Sequence, residues 1–197
     1  MVRITNWLTL WVILKFIVMK KYIGLLLIFN FCLTSLFAQD TINNFRTEQD
    51  EVIWQKIFDT QLSFDDLLSH IQDQGVLESI TSINDKITGD LKPFEVDYKG
   101  AGYSRGFTPI YLLSNLFTGY VVIEFKEPRY RVTIRKVLME KLYSDGLSRM
   151  GTKESLNSYV IKKGKNTMKD SFKGDASKIL GYNFNKLFTI KKQDDNW

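Results

Sequence analysis

The sequence predicts an α+β fold: an antiparallel sheet of about five strands with helices packed on one face, preceded by an N-terminal signal segment. Three observations carry that expectation. FTGYVVIEFK (117–126) and RYRVTIRKVLM (129–139) alternate apolar and polar residues and are separated only by Glu127 and Pro128, which makes them a hairpin. In SFDDLLSHIQDQG, Phe64, Leu67, Leu68 and Ile71 recur at i, i+3, i+4 and i+7, the spacing of one helical face. The order strand, helix, several antiparallel strands, helix then segregates the helices to one side of the sheet and leaves the other face wet.

The elements follow in order. QDTINNFRTEQD (39–50) is a polar lead expected to be mobile. EVIWQKIF (51–58), dense in β-branched and aromatic residues, reads as the first strand. The helix over 63–74 starts at Ser63, with Asp66 at the third helical position to complete the cap. Asp65 and Asp66 favour its positive end, and Gly75 closes it. VLESITSIND is a second strand, turning near Asn84 and Asp85 into KITGDLKPFEVDYKG, where Pro93 forces an edge, a bulge or a break. Residues 100–115 read as loop, followed by the hairpin. These pieces make a core over 51–143. Residues 144–197 form a basic C-terminal extension in which Ala176, Ile179, Leu180, Asn183, Leu187 and Phe188 predict an amphipathic helix at about 175–190.

The N-terminus predicts export. From Met19 the chain reads MKKYIGLLLIFNFCLTSLFAQD, with a positive start, an apolar stretch and Ala38 before Gln39. That is the layout of a signal peptide over 19–38, cleaved after Ala38. Residues 1–18 are then an upstream extension from a misassigned start. The alternative is a membrane anchor formed by residues 1–38, disfavoured because each apolar run is shorter than the roughly 20 residues of a spanning helix and lysines interrupt them. Export implies a periplasmic or secreted protein that meets the membrane only through the N-terminal segment before cleavage.

Charge and cysteine usage narrow the function. Of the 27 basic residues four lie in 1–38, so 23 remain against 22 acidic ones, which removes a general case for nucleic acid or for an anionic membrane. The balance is uneven: residues 39–134 hold 9 basic and 15 acidic side chains, residues 135–197 hold 14 and 7. The single cysteine, Cys32, lies in the signal segment, so the 159 residues after Ala38 have no disulfide and no thiolate to offer a metal.

Few motifs carry chemistry. KGAGYSRG (99–106) has the composition of a phosphate loop, but position 105 is Arg, the third glycine falls at Gly106, and Pro109 follows where a helix should begin. It reads as a binding loop in which Lys99 and Arg105 supply charge. His70 lies one turn from Asp66 and Asp73, short of the three or four ligands of a metal site, and no G-x-S-x-G elbow accompanies it. The carboxylate pairs Asp65/Asp66, Glu95/Asp97 and Asp194/Asp195 read as caps and solvated charge. No catalytic residue, metal or cofactor is assigned. The strongest pattern is on the last strand, where Arg129, Arg131 and Arg135 share one face with Thr133, opposite Tyr130, Val132 and Ile134. Three arginines in a row make an anion-reading surface. Cross-strand pairing of one of them with Glu124 is the structural alternative.

EVIWQKIFDTQLSFDDLLSHIQDQG, DKITGDLKPF and GYVVIEFKEPRYRVTIRKV together resemble a family of small exported Gram-negative bacterial proteins, a domain of unknown function with a TATA-binding-protein-like (TBP-like) fold. The resemblance spans about residues 50–140. The stretch 99–115 and the tail after 143 are longer than the family core. It implies a fold and an export route and brings no activity. The resulting expectation is a non-enzymatic envelope module binding through the wet sheet face and the 99–110 loop, with an envelope protein, an anionic glycan or a lipid headgroup as partner. The alternative is a hydrolase of unrecognised type acting on an envelope substrate.

Overall fold

The computed structural model describes residues 41–144, 146 and 149–190. The chain divides between Gln39 and Asp40 into two units, and the described residues belong to the second. The expected signal segment, with Cys32, and the pair Asp194/Asp195 lie outside them.

The centre is one antiparallel sheet of seven strands rather than about five. β1 (Phe45–Glu48), β2 (Glu51–Asp59), β3 (Leu77–Ile83), β4 (Lys86–Phe94), β5 (Asn115–Lys126) and β6 (Arg129–Lys141) lie in the order β1-β2-β6-β5-β4-β3. β7 (Lys153–Ser155) also pairs with β6. The hairpin predicted over 117–139 is β5–β6, paired from Lys126↔Arg129 back to Asn115↔Lys141. β2 takes the first half of β6 (Trp54↔Ile134 to Asp59↔Arg129), and β7 takes residues 138–140.

The two unforeseen strands have different causes. β1 occupies the lead expected to be mobile. In FRTE, Phe45 and Thr47 point inward and are buried, and the turn to β2 puts Gln49 and Asp50 at φ 51° and 61°. Positive φ at both central residues is the hairpin geometry usually written with Asn-Gly, and without that dipeptide the turn is hidden in the sequence. β7 is three residues long, too short for a period to show. Asn84 and Asp85 make a similar turn (φ 49° and 56°) between β3 and β4 where a turn is predicted. Around Pro93 the β4–β5 register shifts between Leu91 and Phe94, as a residue without an amide hydrogen requires.

Both long helices cover one face of the sheet. α1 (Phe64–Gln74) is capped by the Ser63 hydroxyl, which accepts from the Asp66 amide, and it ends at Gly75 in the left-handed conformation (φ 63°). Leu67 and Ile71 are buried, and the Phe64 ring meets Phe125 of β5 at 5.9 Å. The short helices α2 (Ile110–Leu113) and α3 (Asn157–Val160) lie at the connections. α4 (Ser177–Phe188) follows a kinked stretch over Phe172–Ala176, where Gly174 leaves helical angles (φ −83°, ψ −126°). The C-terminal extension is therefore part of the core: Ile179, Leu180, Phe184 and Phe188 are fully buried. Phe184, absent from the predicted stripe, meets the rings of Phe45, Trp54 and Phe94 within 6.0 Å. An apolar stripe wide enough to cover a sheet exceeds the narrow one read from spacing. Among the described residues no helix is long and apolar enough to cross a membrane.

Candidate functional site

The sheet face opposite the helices follows from the register. β6 offers Arg129, Arg131, Thr133 and Arg135, flanked on β5 by Lys126, Glu124, Val122 and Tyr120 and on β2 by Asp59, Ile57 and Gln55. β4 adds Lys86, Thr88 and Asp90. The three predicted arginines are thus brought to one face, in different states. Arg131 grips Glu124 with two nitrogens, Nε at 3.0 Å and Nη2 at 2.8 Å from Oε2. Arg135 reaches Glu48 at 3.7 Å, and Glu48 also takes Arg46 at 3.3 Å. Arg129 stands on the ladder between Asp59 and Lys126.

Arg46 on β1 and Arg135 on β6 therefore converge on one carboxylate across β2, at the level of Ile53, which is fully buried although it points to this face. The Nε atoms of both arginines are shielded without a hydrogen-bond partner. Arg46 also donates to the Gln55 side chain (2.7 Å), and Gln55 donates to Thr133 (2.8 Å). Glu51 accepts from the Lys136 amide, where β6 bulges at φ 52°. The outcome is a mixed-sign surface with two of the three arginines already engaged by carboxylates. An anion arriving at Arg131 has to displace Glu124. Near the β5–β6 turn, Ile57, Glu124, Lys126, Arg129 and Arg131 line an open cleft of about 460 Å³. The roles of Arg46 and Glu48 were hidden in the sequence with β1 itself; the alternation of FRTE was the available clue.

The 99–106 loop lies on the other side. Phe94 packs on Phe117 and Phe184, Val96 is buried, and the chain after β4 is thereby drawn to the helical layer. There Asp97 binds Lys186 of α4 (2.9 Å), its amide donates to Asn183 (2.8 Å), and the Tyr103 hydroxyl donates to Asp175 (3.1 Å). Lys99 and Arg105 are exposed on this loop and do not join the arginine face. The Gly100 amide donates to the Asp97 carboxylate, and the amides of Ala101, Gly102 and Tyr103 to carbonyls of 97–99. The amides of residues 100–103 are thereby spent within the loop itself. Gly102 takes φ 85°, which a side chain would resist.

Proton chemistry follows the same contacts. The Lys186 hydrogen bond, helped by the Gly100 amide, holds the Asp97 carboxyl below the ordinary carboxylate range, and the same bond raises Lys186. Lys162 likewise holds Asp170 low through a 3.0 Å bond. Such carboxylates stay ionised, whereas a general acid needs the opposite shift. His70 Nε2 sits 2.9 Å from the Gln74 amide nitrogen, and Asp66 is engaged with Ser63. Among the described residues no three His, Cys, Asp or Glu side chains gather as a metal site.

The chain is similar to two solved bacterial structures. One is a TBP-like protein from Parabacteroides distasonis ATCC 8503, at 9% identity and TM-score 0.46, covering 72% of this chain and 90% of that one. The other is a DUF4468 family protein from Bacteroides ovatus ATCC 8483, at 12% identity and TM-score 0.43, covering 76% and 93%. No protein-family model matches the chain, and no curated protein matches it.

Proposed function

We propose that this is an exported, non-enzymatic module of the cell envelope that holds a partner protein on the outer face of its sheet. The observation that carries the reading is the outer face itself: among the described residues no long helix covers it, and it displays Ile57 (55% exposed), Ile83 (64%) and Tyr120 (37%) among side chains of both charges. Interleaved apolar and mixed-sign groups suit a protein partner better than an anionic glycan, because Arg131 and Arg135 already face carboxylates. Lys99 and Arg105, on the helical side, take no part in this surface.

The test is face-specific photocrosslinking in intact cells, with the probe at Ile57 or at Asp73 on α1. The reading expects an adduct from position 57 only, and its loss on Arg131→Glu with the melting temperature little changed, since an exposed ion pair contributes about 0–1 kcal/mol. Equal adducts from both positions, or an adduct that survives Arg131→Glu and the reversal of Arg129, overturn it. N-terminal sequencing of the same fractionated cells tests export: a soluble chain beginning at Gln39 supports it, and a membrane-bound chain that retains residues 1–38 refutes cleavage.

A further inference from the structure

Four large apolar side chains stand in solvent at one end of the sheet: Phe107 (78% exposed), Ile110 (74%), Met150 (70%) and Tyr143 (69%). They belong to two segments that meet where β5 begins and β6 ends. The Leu142 amide donates to the Ser114 carbonyl (3.0 Å), and the Ser114 amide and hydroxyl donate to the Ile110 carbonyl. The Gly151 amide donates to the Lys141 carbonyl (2.8 Å), and the Met150 amide to the Ser144 hydroxyl (3.0 Å).

The scaffold displays these residues. Thr108 and Leu112 are buried, so the one-turn helices at 105–107 and 110–113 turn Phe107 and Ile110 outward. The same segments are basic. Residues 98–114 hold Lys99 and Arg105 with no acid, and residues 141–153 hold Lys141, Arg149 and Lys153 against Asp145, with Lys153 paired to Glu140 at 3.4 Å. Lys99, Arg105 and Arg149 are exposed. Exposed apolar residues are ordinary when scattered; four at one end, on segments that also carry exposed cations, indicate a docking surface.

We propose that this end of the domain enters the interface of a lipid bilayer that carries anionic headgroups, with Phe107, Ile110, Tyr143 and Met150 in the acyl boundary and Lys99, Arg105 and Arg149 against the headgroups. Each apolar side chain keeps more than two thirds of its full exposure. A rigid protein partner needs a matched surface for such tips, whereas a bilayer fills in around them. Tyrosine beside Lys and Arg is the composition of a membrane–water interface, and anionic lipid supplies the complementary charge. This contact is distinct from that of the N-terminal segment and does not depend on the partner proposed for the sheet face.

The experiment uses the full chain with Cys32→Ser and a single environment-sensitive fluorophore on Phe107→Cys or, separately, on Ile57→Cys, mixed with vesicles of phosphatidylglycerol and phosphatidylcholine or of phosphatidylcholine alone. The expected result is a blue shift and quenching by spin-labelled lipid at position 107 on anionic vesicles, with position 57 still in water. Lys99→Glu with Arg105→Glu weakens the response at least about tenfold, and added salt weakens it further. Ile110→Ser with Met150→Ser does the same, each buried apolar side chain contributing roughly a tenfold factor. A label at 107 that stays in water while the chain sediments with anionic vesicles overturns the proposal, because residues 1–38 alone then hold the membrane. Shielding of position 107 without lipid, rising with protein concentration, overturns it in favour of self-association. Neither failure touches the sheet-face reading, which position 57 reports.

Discussion

Phe184→Ala tests whether the C-terminal segment after residue 143 is part of the fold or an appendage to it. The Phe184 side chain is fully buried, with ring centroids 5.6 Å from Trp54, 5.9 Å from Phe94 and 6.0 Å from Phe45. It thereby ties α4 to β1, β2 and β4 at once. Truncating a buried phenylalanine costs about 3–5 kcal/mol, and three aromatic neighbours, each contributing about 0.5–1.5 kcal/mol beyond area, place this site at the upper end. Set against a domain stability of about 5–15 kcal/mol, the loss is a large fraction of the whole. At about 2–4 °C per kcal/mol for a chain of this size, the melting temperature falls by roughly 6–20 °C. Urea unfolding followed by far-ultraviolet circular dichroism reads the change as a lower midpoint at constant slope. Leu187→Ala, on the half-buried flank of the same helix, is the milder control. A Phe184→Ala loss below about 1 kcal/mol refutes the reasoning: α4 would then be dispensable to the core.

Three further outcomes follow from the same coordinates. Gly89→Ala places a methyl 2.9 Å from the Glu78 carbonyl oxygen and 3.4 Å from Leu77 Cβ; because the obstacle is backbone, thermal unfolding should report a loss of about 1–3 kcal/mol, and a neutral variant would mean that β3 yields. Asp97 titrates below its ordinary 3.8 when folded, so its contribution is complete above that value and fades as pH falls through the folded pKa; Lys186, raised above 10.5, contributes below that value and fades as pH rises through its own. Unfolding midpoints measured against pH should show the wild type losing its advantage over Asp97→Asn at both extremes and keeping it between them. Burial pushes the Tyr130 hydroxyl up to about 12, with the Ile190 amide acting in the opposite sense, so this group stabilises below pH 10 and its contribution disappears between 10 and 12. Tyr130→Phe also deletes the 2.6 Å bond to the Phe188 carbonyl, for about 1 kcal/mol at neutral pH. Its alkaline unfolding slope should be shallower than that of the wild type.

What could be read from the sequence was what depends on neighbours along the chain. The Ser63 cap and the Gly75 stop of α1, the Asn84–Asp85 turn and the alternation of β5 and β6 each follow from side chains within a few residues of one another. The same period placed Arg129, Arg131 and Arg135 on one face, because alternation in a strand is a local rule.

What only the tertiary structure decided involves partners distant in sequence. β1 exists because Phe45 reaches Phe172 and Phe184 and its turn is held in positive φ, and neither fact leaves a mark in QDTINNFRTEQD. Arg135 meets a carboxylate 87 positions away, on a strand that was not foreseen. Lys99 and Arg105 part from the arginines because Asp97 is pinned to Lys186, 89 positions on. Local chemistry in the sequence determined α1, the β3–β4 turn and the β5–β6 hairpin; the burial of aromatic rings brought together from both ends of the chain added β1 and decided which faces remain free to bind.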